Sequence, residues 1–354
     1  MTRYLLAAAI ALMIQPPQSS RRLPVFRAEP SWPAIPNNWV FGEVSSIAVD
    51  SQDHVWILQR PRTVPVEQQG KAAPPLMEFD ANGRFIQSWG GPSAAYDWPE
   101  REHGVYIDPK GFVWIGGNNG YGTPAPPGDS DDMLLKFTTD GKFELQVGHR
   151  NTSQGNADTK NLHQPADAFL NRKTNELFIA DGYGNQRVIV LDADTGAFKR
   201  MWGAFGKVPE TPPAAAAGSS DGPPQFGLVH SIKVSNDGFV YVADRSNHRI
   251  QVFTTAGKFV TQKFIGATGQ TAAGLAFSPD SQQQFLYVAN LGDAQIAVLD
   301  RKTLEVLTTF GRRGNAPGEF NILHHLAVDS KGNIYTAEIG ANRRAQKFVV
   351  TGRN

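Results

Sequence analysis

The chain of 354 residues contains no cysteine. That excludes a disulfide framework and a lipid-modified cysteine anchor. An excess of either charge is missing too: 34 Lys+Arg face 33 Asp+Glu. Such a balance leaves no electrostatic footprint for nucleic acid or an anionic membrane. Long apolar runs are also lacking, and the one at residues 5–14 is too short to span a bilayer. With Arg3 before it and Pro16, Pro17 and Ser19 behind it, this run reads as an export signal. Residues 1–20 are therefore expected to be a signal peptide, and residues 21–354 a single domain that is secreted or periplasmic. No membrane span is expected. Without disulfides, the fold must staple itself by closing on itself.

Turn chemistry is what the chain has in quantity, with 35 Gly and 24 Pro set between β-rich runs. That pattern points to an all-β protein. Six units recur, each an apolar run, an Asp-x-x-Gly turn, a second run, an Asp/Asn-rich corner, and two further runs. The fourth unit is the clearest: Ser231-Ile-Lys-Val-Ser-Asn-Asp-Gly-Phe-Val-Tyr-Val-Ala-Asp244-Arg-Ser-Asn-His-Arg249-Ile. The corners at Asp244, Asn290 and Glu338 are 46 and 48 residues apart, the length of a four-stranded propeller blade. The longer step from Asp181 to Asp244 is explained by an Ala/Pro/Gly-rich insertion at residues 209–224. A six-bladed β-propeller is expected, with blades at about residues 42–90, 96–148, 160–203, 225–266, 270–311 and 317–350. The strand-like residues 23–28 are expected to complete the sixth blade and close the ring, leaving no free edge. Trp56, Trp114, Tyr241 and Phe253 fall at strand period and are expected in the core.

Three histidines occupy one repeat position in alternate units. They are His103 in Arg101-Glu-His-Gly-Val-Tyr-Ile-Asp, His230 in Leu228-Val-His-Ser-Ile-Lys-Val, and His324 in Ile322-Leu-His-His-Leu-Ala-Val-Asp. In a ring, that position in blades two, four and six faces one axis from three sides. Three imidazoles with an open fourth direction are the ligand set of a catalytic zinc. His163 lies two residues short of the equivalent position, so it is left out of the set. His325 is expected to face away from His324 along its strand. Arg60, Gly182 and Arg245 share the corner position after the second strand of their units, with Tyr183 one residue on. Arg187, Arg249 and Arg343 are read as the Asn-x-Arg residues that staple each blade, and Asp181 and Asp244 as turn and inter-strand acceptors.

The Ala-Asp-x-x-Asn-x-Arg-Ile/Val corners resemble NHL repeats. Within that class, residues 42–350 resemble the catalytic core of the peptidyl-α-hydroxyglycine α-amidating lyases. Six positions carry the resemblance: Arg60 in Leu58-Gln-Arg-Pro, His103, Tyr183 in Ala180-Asp-Gly-Tyr-Gly-Asn-Gln-Arg, His230, Arg245 in Ala243-Asp-Arg-Ser-Asn, and His324. The resemblance implies a zinc held by His103, His230 and His324. It implies Tyr183 as general base or proton shuttle, and Arg60 and Arg245 as a clamp on a substrate carboxylate. The implied reaction breaks the C–N bond of a peptidyl- or N-acyl-α-hydroxyglycine to give an amide and glyoxylate. The family's third zinc histidine is followed by an aspartate that binds calcium. Here His325 stands in that place, and a carboxylate-free position is a poor home for a hard cation, so calcium is not expected. The partner implied is a small molecule or peptide bearing a carboxylate, taken by a monomer. Two other readings remain open. One is a non-catalytic propeller that binds a peptide, glycan or protein. The other is a lactonase, which would want an axial carboxylate set that the equivalent positions do not supply.

Overall fold

The computed structural model describes residues 22–121, 129–211, 221–266 and 270–353. The predicted signal segment at residues 1–20 lies outside them, as do residues 122–128 and 212–220 of the two inserted loops. A leading strand, β1 (Pro24–Glu29), precedes five consecutive four-stranded antiparallel sheets. Blade 1 is β2 (Glu43–Val49), β3 (Val55–Arg60), β4 (Leu76–Phe79) and β5 (Phe85–Trp89). Blade 2 is β6 (Glu102–Ile107), β7 (Phe112–Gly117), β8 (Leu134–Thr138) and β9 (Phe143–Val147). Blade 3 is β10 (Asp167–Asn171), β11 (Glu176–Asp181), β12 (Arg187–Asp192) and β13 (Phe198–Trp202). Blade 4 is β14 (Val229–Val234), β15 (Phe239–Asp244), β16 (Arg249–Thr254) and β17 (Phe259–Phe264). Blade 5 is β18 (Gly274–Phe277), β19 (Phe285–Asn290), β20 (Gln295–Asp300) and β21 (Val306–Phe310). Blade 6 is β22 (Ile322–Val328), β23 (Ile334–Ile339) and β24 (Arg344–Arg353), with β1 paired antiparallel to β24 as its outermost strand. The chain is a six-bladed propeller closed by its N-terminal strand, as its repeats predict.

Burial explains why the inner runs are so apolar. A sheet packed on both faces cannot alternate in polarity, and every residue of β3 is buried. The outer strands keep one wet face, as in β5 and β17. The core is accordingly split into six wedges, one between each pair of neighbouring blades. Trp114 and Leu177 meet between blades 2 and 3, and Phe178 and Phe253 between blades 3 and 4. The aromatics predicted for the core, Trp56, Trp114, Tyr241 and Phe253, are all at most 3% exposed.

Two polar devices recur among the inner strands, a turn aspartate in blades 1, 2 and 6 and a corner carboxylate paired with arginine in blades 3, 4 and 6. At one end an aspartate closes the turn: Asp108 accepts from Lys110 N and Phe112 N at 2.8 and 3.0 Å, and from Trp114 Nε1 at 3.0 Å. At the other end the corner carboxylate is paired with an arginine inside the protein. Asp181 accepts from Arg187 and Asp244 from Arg249, both at 2.8 Å and with all four side chains fully buried. The same carboxylates take the incoming loop, Asp181 from His163 N and Asp244 from Gly227 N and Leu228 N. They thereby hold the start of the strand that carries the site. In blade 6 the stapling arginine is Arg344, which donates to Glu338 at 2.7 Å. Arg343 was expected in this role, but it lies in a left-handed turn at φ +42° and donates to Thr63 O instead.

Candidate metal centre

The axial site begins with a backbone irregularity. In β2, β6, β14 and β22 the pairing with the next strand skips one residue, between Val44 and Ser46, Glu102 and Gly104, Val229 and Ser231, and Leu323 and His325. The skipped residues are Ser45, His103, His230 and His324. A bulge re-aims its side chain, and these four positions face the axis. Blades 3 and 5 hold Ala166 and Ala273 at the same place, just ahead of β10 and β18, with N–H groups donated to Ala180 O and Ala289 O. Even blades therefore present imidazoles, and odd blades present Ser45, Ala166 and Ala273.

The two sets are joined. His103 Nδ1 donates to Ala166 O at 3.0 Å, His230 Nδ1 to Ala273 O at 2.6 Å, and His324 Nδ1 to Ser45 O at 2.6 Å. A carbonyl can only accept, so each neutral ring carries its hydrogen on Nδ1 and keeps a lone pair on Nε2. The ring centroids form a near-equilateral triangle with sides of 5.0, 4.9 and 4.8 Å. All three rings are at most 1% exposed. Burial, followed by the charges of neighbouring histidines and of Arg60, holds His103 well below its usual range. Burial and then Arg245 do the same for His230, and burial, then His325 and Arg60, for His324. Neutral, oriented and convergent imidazoles suit a divalent metal, and the cluster could hold one.

Tyr183 covers one side of this triangle. Its hydroxyl oxygen lies 2.8 Å from His103 Nε2 and 2.9 Å from His230 Nε2, and Arg245 Nη1 donates to it at 3.0 Å. One hydroxyl proton cannot satisfy two lone pairs, so the nitrogens retain unmet acceptor capacity. Gly182 is what lets the corner sit so close. A Cβ there would lie 2.1 Å from Val229 O and 2.4 Å from Val229 N, the residue before His230. Arg245 is 5% exposed, and its Nε is buried without a partner. Arg60 lies nearby but is held on three sides: Nε to Glu102 O at 2.8 Å, Nη1 to Glu43 at 2.6 Å, and Nη2 to Asn118 at 3.4 Å.

The structure thus brings His103, His230, His324, Tyr183 and Arg245 into direct contact and sets Arg60 beside them. Sequence reading missed four neighbours. Glu43 neutralises Arg60, and Asn118 occupies the corner equivalent to Arg60 and Arg245, which the repeat register could have revealed. Tyr121 meets the Tyr183 ring edge-on at 4.6 Å, and Arg101 donates to Tyr121 O at 2.9 Å. Neither carries a signal in the repeat. His163 stays outside the cluster, 4.0 Å from Asp132. His325, expected to face away, instead turns toward the axis, because the bulge at His324 breaks the strand's alternation.

An NHL-repeat family model matches residues 226–253, the inner strands of blade 4. The chain is 27% identical over 338 residues to NHL repeat-containing protein 3 of Mus musculus, covering 92% of this chain and 84% of that one. It is 25% identical over 378 residues to peptidyl-alpha-hydroxyglycine alpha-amidating lyase 2 of Drosophila melanogaster, covering 96% and 81%. The chain is a six-bladed propeller that carries an NHL repeat and is similar to the amidating lyases. A third relative is the peptidylglycine alpha-amidating monooxygenase of Rattus norvegicus, 25% identical over 91% of this propeller but only 32% of its own length. Among solved structures, a streptogramin B lyase superposes with a TM-score of 0.55 at 16% identity, covering 93% of this chain and 98% of that one. That likeness speaks for the propeller fold alone.

Proposed function

We propose that this propeller is a metal-dependent carbon–nitrogen lyase acting on a peptidyl- or N-acyl-α-hydroxyglycine. One observation carries the reading: three imidazoles from alternate blades, each locked by its Nδ1 hydrogen to the blade between, turn their Nε2 lone pairs toward the axis, where a single Tyr183 hydroxyl contacts two of them. His103, His230 and His324 would hold the ion, and zinc suits an all-imidazole set with an open position. When bound, the ion supplies Lewis acidity toward the substrate's α-hydroxyl oxygen.

The remaining chemistry belongs to the side chains. Arg245 offers a planar fork to the substrate carboxylate, with Arg60 adding charge from its anchored place. Tyr183, once its own hydroxyl proton has left to solvent, takes the α-hydroxyl proton, with Arg245 placing positive charge beside the tyrosine oxygen that receives it. The C–N bond then breaks, its electron pair goes to nitrogen, and Tyr183 returns the proton there. The products are the amide and glyoxylate, and no other reactant is consumed. The same reading takes the chain as exported and monomeric, the export resting on residues 1–20 alone.

The test is metal content and glyoxylate release, measured together. Purified wild type should carry about one metal per chain and release glyoxylate from an N-acyl-α-hydroxyglycine, and His230→Ala should lose both. A folded, metal-free and inactive wild type would leave the second reading, a binding propeller. The likeness to NHL repeat-containing protein 3, whose name carries no reaction, favours that reading.

A further inference from the structure

Strand β22 turns two consecutive histidines toward one axis. A regular strand sends neighbours to opposite faces, and the bulge at His324 suspends that rule. The His325 ring lies 5.2 Å from those of His230 and His324 and 5.8 Å from that of His103. Its Nε2 is buried and has no hydrogen-bond partner, a condition that is unfavourable if nothing relieves it. One donor nitrogen from each of the four histidines fits within a span of 4.8 Å. Nitrogens bound to one ion at about 2.0–2.1 Å stand about 3.3 Å apart at every edge of a tetrahedron. Ring movements of at most about 0.7 Å each would bring the most widely spaced pair to that distance.

The fourth ring comes from the side away from Tyr183. All inner strands run from corner to turn, and Tyr183 and Arg245 stand at the corner end. His325 is one step nearer the turns, where it lines a cavity of about 220 Å3 with Asp167, Phe169 and Lys233. This cavity leads into a wider funnel of about 530 Å3 on the opposite face. Asp167 does not partner His325 Nε2: its Oδ2 accepts from Ser231 Oγ, Ile232 N and Lys233 Nζ at 2.7, 3.0 and 2.5 Å and its Oδ1 from Ala168 N at 2.9 Å.

Resting on the metal reading above, we propose that His325 is a fourth nitrogen ligand of the axial divalent ion, entering from the funnel side. The open coordination position then faces Tyr183 and Arg245, where a substrate oxygen can bind as a fifth ligand. A four-imidazole set also leaves the ion its full positive charge.

Zinc X-ray absorption on the zinc-loaded wild type counts imidazoles without relying on any variant. Four are expected; three plus an oxygen would overturn the inference and leave His325 bonded to water in the funnel. Chelator competition on His325→Gln and His325→Asn should show one zinc per chain held about 10- to 100-fold more weakly, with a changed cobalt(II) absorption spectrum. Unchanged affinity and spectrum in a folded variant would overturn this inference alone. A wild type that takes up no zinc would overturn it together with the lyase reading.

Discussion

Blades 2, 4 and 6 and blades 1, 3 and 5 use one backbone position for opposite purposes. The even blades project imidazoles at the axis, while the odd blades offer the carbonyls of Ser45, Ala166 and Ala273. Each histidine is thus oriented by the blade that follows it, and the site belongs to the closed ring rather than to any one blade. The lesson is that side-chain identity matters in half of the ring and backbone position in the other half. Substitutions should therefore behave very differently in the two sets. The largest difference is expected for His230→Ala. It should abolish stoichiometric metal and lower glyoxylate release by on the order of 10³-fold, measured by elemental analysis and product assay. Retained metal in that variant would break the comparison at its root.

Acid should expose the same asymmetry, since only the even blades carry a titratable side chain at the axial position. His103, His230 and His324 are held well below the usual value of 6.5, and His325 is lowered to about 4. Between those values the unfolded chain binds protons that the native chain refuses. Their stabilisation is therefore full above pH 6.5 and falls as the pH drops below it. Each proton that the native chain refuses adds at most about 1.4 kcal/mol per pH unit to that slope. Urea unfolding of metal-free protein from pH 7 to 4.5 should show the decline, and His325→Gln should make it shallower. An unchanged slope in that variant would mean that His325 is not buried as the neutral ring.

Much of this was legible in the sequence. The six blades and their closing strand followed from the corner spacing and residues 23–28, and the convergence of the His103, His230 and His324 rings from their falling at one repeat position. The bulges were not legible, because no residue type marks a skipped pairing. Counting alternation from His324 therefore sent His325 to the wrong face. A similar slip of one residue put Arg343 where Arg344 stands, since the left-handed residue before Arg344 is the counterpart of His248, at φ +57° before Arg249. Glu43 escaped because its partner Arg60 is reached across the blade, and pairing of that kind leaves no local pattern.

Smaller effects sharpen the link between odd and even blades. Gly104→Ala would place a Cβ 2.3 Å from Ala166 O, the atom that receives the His103 hydrogen. Displacing that acceptor should weaken metal binding about 10- to 100-fold, read by chelator competition, while far-UV circular dichroism stays unchanged. Arg245→Lys keeps the charge and loses the fork, so kcat/KM should fall about tenfold, mainly through KM. Arg60→Lys should cost less, because Glu43, Asn118 and Glu102 O already occupy that guanidinium.

Ser45→Ala is expected to do least, and for that reason it tests the comparison most strictly. It gives blade 1 the residue that blades 3 and 5 already have at this position. The Ser45 hydroxyl makes one long bond, to Leu58 O at 3.3 Å, and its loss should cost about 1 kcal/mol or less in urea unfolding. The carbonyl that receives the His324 hydrogen at 2.6 Å belongs to the backbone and survives the change. Metal affinity should therefore stay within about twofold of wild type, far from the loss expected for Gly104→Ala. An equal loss in both variants would mean that odd-blade side chains, and not only their carbonyls, hold the imidazoles in place.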